Sequence, residues 1–179
     1  MKTLTQHLSN YAAYHRDRRN VVTHFIGIPM IVLAVTTLLA RPRWELGDAA
    51  VLTPAMAVYL LSCLFYLRLS VAFGAAMTAI LLAFLIAGHW IGALPTGQWL
   101  GLGIGLFVIG WIVQFVGHYY EGRKPAFVDD LVGLLIGPLF LVAETAFALG
   151  WARDTRAQME RTEPTGRSKA AGSPDTRRA

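Results

Sequence analysis

Asn20-Val-Val-Thr-His24-Phe-Ile-Gly-Ile-Pro29-Met-Ile-Val-Leu-Ala-Val-Thr-Thr-Leu-Leu-Ala40 contains no Asp, Glu, Lys or Arg. Its apolar part, residues 21–40, has the ~20 residues that carry an α-helix across a ~30 Å hydrocarbon layer. Comparable runs occupy 49–67, 71–94 and 98–119. A fifth, 131–151, is interrupted by Gly133, Gly137 and Pro138. Pro138 removes a backbone donor and crowds the preceding turn, which predicts a kinked or re-entrant segment. The fold expected is all-α: a polytopic helical membrane protein with four transmembrane helices and that fifth segment.

Composition supports this reading. Of 179 residues, 55% are hydrophobic and only 15% charged, against about 25% charged in soluble proteins. Charge is also segregated, with Asp48 and Arg68 the charged residues between Gly47 and His118. The first twenty residues lack the apolar core and small-residue cleavage site of a secretory signal, so they are expected to stay in the mature chain. The single cysteine, Cys63, excludes an internal disulfide and a thiolate metal cage and reads as a small buried hydrophobe. Despite a net charge of +5, no aromatic-interleaved basic face or binding motif points to nucleic acid. Two units follow: a membrane-embedded domain over 1–151, and a basic tail over 152–179. The tail has no apolar periodicity and is expected to be disordered and cytoplasmic.

The basic residues give an orientation. Arg16, Arg18 and Arg19 place the N-terminus in the cytoplasm, Arg68 marks the tight second turn, and Arg123 with Lys124 marks the end of the fourth run. Arg41 and Arg43 run against the pattern, although Glu45 and Asp48 follow them. On this topology His15, His24, His118 and Glu121 share the cytoplasmic boundary. His89 falls near the opposite face as a polar anchor, and His7 is a solvated terminal residue.

A histidine or carboxylate at membrane depth requires a partner, and a divalent metal is a partner that several can share. His15 and His24 are nine apart, half a turn out of phase on one continuous helix. Both can face one centre only if the chain bends near residues 16–19, as a short interfacial N-terminal helix would allow. Trp111, Gln114, His118 and Glu121 form one helical stripe, so His118 and Glu121 present an imidazole and a carboxylate together. Nitrogen and oxygen ligands without sulfur suit iron(II), zinc or manganese. Glu144, in the fifth run, is a further candidate as ligand, as a partner of a ligating histidine, or as a protonated side chain. Tyr11, Tyr14 and Asn20 are placed to orient the ligands. Asp129 and Asp130 read as a helix cap. Gly101, Gly103, Gly105 and Gly110 read as a close-packing surface.

The segments Tyr14-His15-x4-Asn20-x3-His24-x2-Gly27-x-Pro29, Gln114-x2-Gly117-His118-x2-Glu121-x3-Pro125-Ala126 and Gly137-Pro138-x-Phe140-x3-Glu144 resemble, in order, the 2-hydroxy fatty acid dioxygenase family. The resemblance covers residues 1–151 and is closest to the bacterial type. It implies an Fe(II)-dependent α-oxidation in which a 2-hydroxy fatty acid and O2 give an acid one carbon shorter. It also implies that His15, His24 and His118 are the metal ligands. Helical phase adds Glu121 as a fourth ligand, with Glu121, Glu144, Tyr14 and Asn20 as candidate catalytic residues. The partners expected are the acid, O2 and membrane lipids. The location implied is the inner membrane in a bacterium or the endoplasmic reticulum in a eukaryote. A membrane metal hydrolase or other lipid-modifying metalloenzyme is the alternative, and a non-catalytic transporter or scaffold is a third reading.

Overall fold

A computed structural model describes residues 2–46, 50–125 and 131–162. Asp48, Ala126, Asp129, Asp130 and the tail beyond residue 162 lie outside the described residues. Helix α1 (Leu4–Ala12) begins with a reciprocal cap, in which the Gln6 N–H reaches Thr3 Oγ1 and the Thr3 N–H reaches Gln6 Oε1. The chain leaves helical geometry over residues 13–17, as the phase of His15 and His24 requires, and Asp17 caps α2 (Arg18–Leu39). After a small antiparallel hairpin, β1 (Trp44–Leu46) with β2 (Ala50–Leu52), come α3 (Pro54–Leu69), α4 (Val71–Gly92) and α5 (Thr96–Glu121). Helices α6 (Gly133–Ala148) and α7 (Arg153–Thr162) complete the described chain.

Three of these helices, α2, α4 and α5, are long and apolar enough to cross a membrane. The second expected span is shorter than its apolar run. Residues 50–52 pair in the hairpin, and the Thr53 cap with Pro54 in the first turn starts the helix late. Its 16 residues reach about 24 Å at 1.5 Å per residue. The second turn is as tight as expected, with Ser70 ending α3 and capping α4.

The fifth segment is bent, as expected, but its break does not fall at Pro138. Helix α6 continues through Pro138, and the break comes later, where α6 and the residues 153–159 meet at 116°. Two residues there adopt left-handed backbone, Gly150 at φ 77° and Ala152 at φ 52°. These end the helix where proline does not. Residues 153–162, expected to be disordered, form α7. Its Met159 is buried in the cluster of Leu8, Tyr11, Phe140 and Phe147, and its carbonyl lies 3.4 Å from Ser9 Oγ. This otherwise polar helix is held by its packing on α1 and the core.

Helix α2 packs chiefly on α5 and also on α4, α4 packs on α3, and α1 rests on α6 and α7. Gly27 and Gly110 bring α2 and α5 into backbone contact. A Cβ on Gly27 would sit 2.8 Å from the Gly110 carbonyl oxygen and 2.8 Å from Gln114 Nε2. Of the expected packing glycines, Gly103 and Gly110 face α2, whereas a Cβ on Gly101 or Gly105 meets nothing within 4 Å. Gly27→Ala is therefore expected to cost about 1–3 kcal/mol by overpacking. Gly105→Ala should be neutral or stabilising by up to about 1 kcal/mol. Unfolding of the two variants in one detergent checks the contrast, and equal midpoints would refute the close crossing.

Candidate metal centre

The α1–α2 bend puts His15 against the first turns of α2, and the close α2–α5 crossing brings in the last turn of α5. One ligand atom from each of His15, His24 and His118 then lies within 4.8 Å of the others, and all three side chains are buried. Each ring comes from a different part of the chain. His15 lies in the bend, His24 in the second turn of α2 and His118 one turn before the end of α5.

Hydrogen bonds define what these rings offer. His15 Nδ1 lies 2.8 Å from the Tyr11 carbonyl and His24 Nδ1 lies 2.8 Å from the Asn20 carbonyl. A carbonyl only accepts, so each Nδ1 carries the hydrogen and each Nε2 of a neutral ring presents a lone pair. Those two Nε2 atoms are 2.9 Å apart. Two lone pairs at that distance repel. A bridging proton would make one ring cationic, and burial opposes that, since it pulls His15 down to about 4 from the ordinary 6.5. The third ring adds a buried Nδ1 with no hydrogen-bond partner among the described residues. Neutral nitrogens converging without protons to share fit a metal cation.

Neighbours hold the rings in place. Tyr11 stacks on His15 with centroids 4.1 Å apart, and Phe140 lies 5.1 Å from Tyr11 and 5.9 Å from His15. The sequence motif contained Phe140, but an aromatic ring carries no ligand chemistry to single it out. Asn20 is fully buried; its carbonyl orients His24, and its Nδ2 reaches Glu121 Oε2 at 3.1 Å and the Tyr14 carbonyl at 3.5 Å. Tyr14 thus contributes its main chain to the arrangement.

Glu121 is not among the residues whose ligand atoms lie within 4.8 Å of one another. Its carboxylate accepts from the Arg16 N–H (2.9 and 3.0 Å), the Asp17 N–H (2.8 Å) and Asn20 Nδ2. The phase argument put it on the His118 face, yet that face also meets the α1–α2 bend, where unpaired N–H groups compete for a carboxylate. Glu121 clamps the bend that carries His15. Arg123 assists, its guanidinium donating to the Ala13 carbonyl at 3.0 Å. Glu144 is not brought to the centre either. It is half-buried further along α6, and its charged neighbour is Arg156 of α7.

The remaining histidines sort by position. His89, at the far end of α4, bonds the Leu85 carbonyl (2.8 Å) and Thr53 Oγ1 (3.2 Å), which suits a polar anchor. His7 is half-buried with its ring edge towards Phe65, 6.3 Å between centroids, rather than solvated. Among the basic residues at the bend, Arg19 pairs with Asp17 at 2.8 Å and covers the Tyr120 ring at 4.3 Å. Cys63 is buried and free, as a small hydrophobe should be.

Two apolar spaces adjoin the centre. A cavity of about 70 Å³ is lined by His24, His118, Gln114, Trp111 and Tyr11 together with apolar side chains. A groove of about 700 Å³ between α2, α4 and α6 shares Ile28, Val32 and Pro138 with that cavity.

Residues 1–149 match the family model for Mpo1-like proteins, described as 2-hydroxy-palmitic acid dioxygenase Mpo1-like. The chain is 32% identical over 161 residues to the 2-hydroxy-palmitic acid dioxygenase MPO1 of Saccharomyces cerevisiae, covering 88% of this chain and 87% of the yeast protein. No solved structure matches. Membrane-length helices, three converging histidines and a match over most of both chains lead to one assignment: this protein belongs to the Mpo1-like family.

Proposed function

We propose that this protein is an Fe(II)-dependent dioxygenase that shortens 2-hydroxy fatty acids by one carbon, with its centre at the cytoplasmic face of the membrane. The observation that carries the reading is the meeting of the His15 and His24 Nε2 lone pairs at 2.9 Å, with His118 beside them, in a member of a dioxygenase family. His15, His24 and His118 hold the metal. Iron, when bound, supplies the redox chemistry that O2 requires, and three neutral imidazoles leave positions for the acid.

The chain's own residues supply the rest. The Tyr11 and Asn20 carbonyls keep both imidazoles in the tautomer that ligates, as outer partners of metal sites do. Glu121 prevents the bend from opening. Ile28, Ile31, Val32, Leu134 and Pro138 keep bulk water from the reacting end of the substrate. The adjoining groove suits an acyl chain, so the tail can remain among apolar side chains while the polar head reaches the histidines. Arg16, Arg18, Arg19, Arg68 and Arg123 cluster at this end of the helices, which favours the cytoplasmic side. The inner membrane of a bacterium or the endoplasmic reticulum of a eukaryote meets that requirement.

A hydrolase reading needs a carboxylate free to act as base. Glu121 has both oxygens engaged by the bend, which weighs against it. The test is purified protein loaded with Fe(II) and given 2-hydroxypalmitate. Shortening by one carbon that requires O2 is expected. Turnover that continues under argon, or no shortening in air, would overturn the proposal.

A further inference from the structure

Gln114 lies one turn before His118 on α5 and shares its face. The side chain is 4% exposed, and its Nε2 has no hydrogen-bond partner among the described residues. Leaving a buried amide unpaired is costly, and native structures rarely do so without a reason. Gln114 is one of the residues that line the 70 Å³ cavity, together with His24 and His118. That space has room for a small group rather than a chain, since one water occupies about 30 Å³ in the liquid. A Cβ on Gly27 would sit 2.8 Å from the Gln114 Nε2, so the glycine leaves the space at the α2–α5 crossing that the amide fills.

The chemistry of the amide narrows what it binds. No Lys or Arg lines this cavity, so a carboxylate there finds its counter-charge in the metal. A carboxamide is neutral and both donates and accepts, which matches a hydroxyl group. Exchanging the assigned amide oxygen and nitrogen leaves that match intact.

We infer that Gln114 is a specificity residue that hydrogen-bonds the 2-hydroxyl of the substrate and so distinguishes a 2-hydroxy acid from the plain fatty acid. The inference rests on the oxygenase reading above and deepens it. A site built to bond a hydroxyl rejects the analogue lacking it, because its own polar group is then stranded.

The experiment compares wild type, Gln114→Leu and Gln114→Met as Fe(II)-loaded protein under argon, so that binding is read without turnover. The probes are 2-hydroxypalmitate and palmitate, with bound iron measured alongside. Wild type should prefer the hydroxy acid by about 10- to 100-fold. Both variants should lose that preference while palmitate affinity and iron content stay level. In air, KM for the hydroxy acid should rise more than kcat falls. Methionine matches the length of glutamine, so it serves if leucine disturbs packing. A preference unchanged in the variants, an equal loss for both acids, or loss of iron would overturn the assignment. Failure of wild type to shorten the acid in air overturns the oxygenase reading instead, whereas the affinity ratio under argon judges Gln114 alone.

Discussion

His24→Ala is expected to strip the centre of metal, lowering affinity by more than about 100-fold and abolishing turnover at ordinary metal concentrations. Groups that merely orient a ligand already cost 10–100-fold when removed, so a ligand should cost more. His24 is 2% exposed, and its Nε2 faces that of His15 at 2.9 Å. Alanine leaves a cavity at this site, and His24→Leu gives the cleaner comparison by filling much of it. Without metal, His24→Leu removes one of two opposed lone pairs, so its unfolding midpoint should equal or exceed that of metal-free wild type. With metal, wild type should gain stability by mass action and the variant should not. Metal analysis paired with unfolding in detergent tests this. A variant that retains its metal would remove His24 from the ligand set.

Glu121→Ala should rank next, for a different reason. It strands the Arg16 and Asp17 N–H groups and the Asn20 amide, which now share one carboxylate. Charge-assisted bonds of this kind are each worth about 1.5–3 kcal/mol when sheltered. Glu121 is only half-buried, so solvent discounts the sum to roughly 1–3 kcal/mol. The larger effect should be on the centre. Once residues 16–17 are released, His15 loses its fixed position, and metal affinity should fall about 10- to 100-fold. Glu121→Gln retains one accepting oxygen and should fall between alanine and wild type. Were Glu121 a ligand after all, glutamine would empty the site as His24→Ala does. Metal titration of the two variants decides between a clamp and a ligand.

These contrasts reflect what can be read along the chain and what cannot. The bend between α1 and α2 was legible because two histidines nine residues apart cannot share a face of one helix. Membrane character was legible from the spacing of charge along the sequence. The late start of α3 was also written in the chain, as Thr53-Pro54, but the apolar run extending before it masked the signal. The bend of the fifth segment was legible too, but its position was not, because a proline shows along the chain only the hydrogen bond it removes. Whether a helix bends there depends on its neighbours, and the break falls instead at Gly150 and Ala152. Helix α7 has no apolar periodicity to mark it, because it meets the core mainly through Met159.

The sequence alone determined that this is a helical membrane protein with imidazoles gathered at one end, because hydropathy and helical phase are properties of neighbours along the chain. Only the tertiary structure decided which polar groups meet in the three-histidine cluster and which serve the backbone. Glu121 had the right phase to be a ligand. Its carboxylate was claimed by amide hydrogens of a bend more than a hundred residues away, and no local spacing encodes that competition.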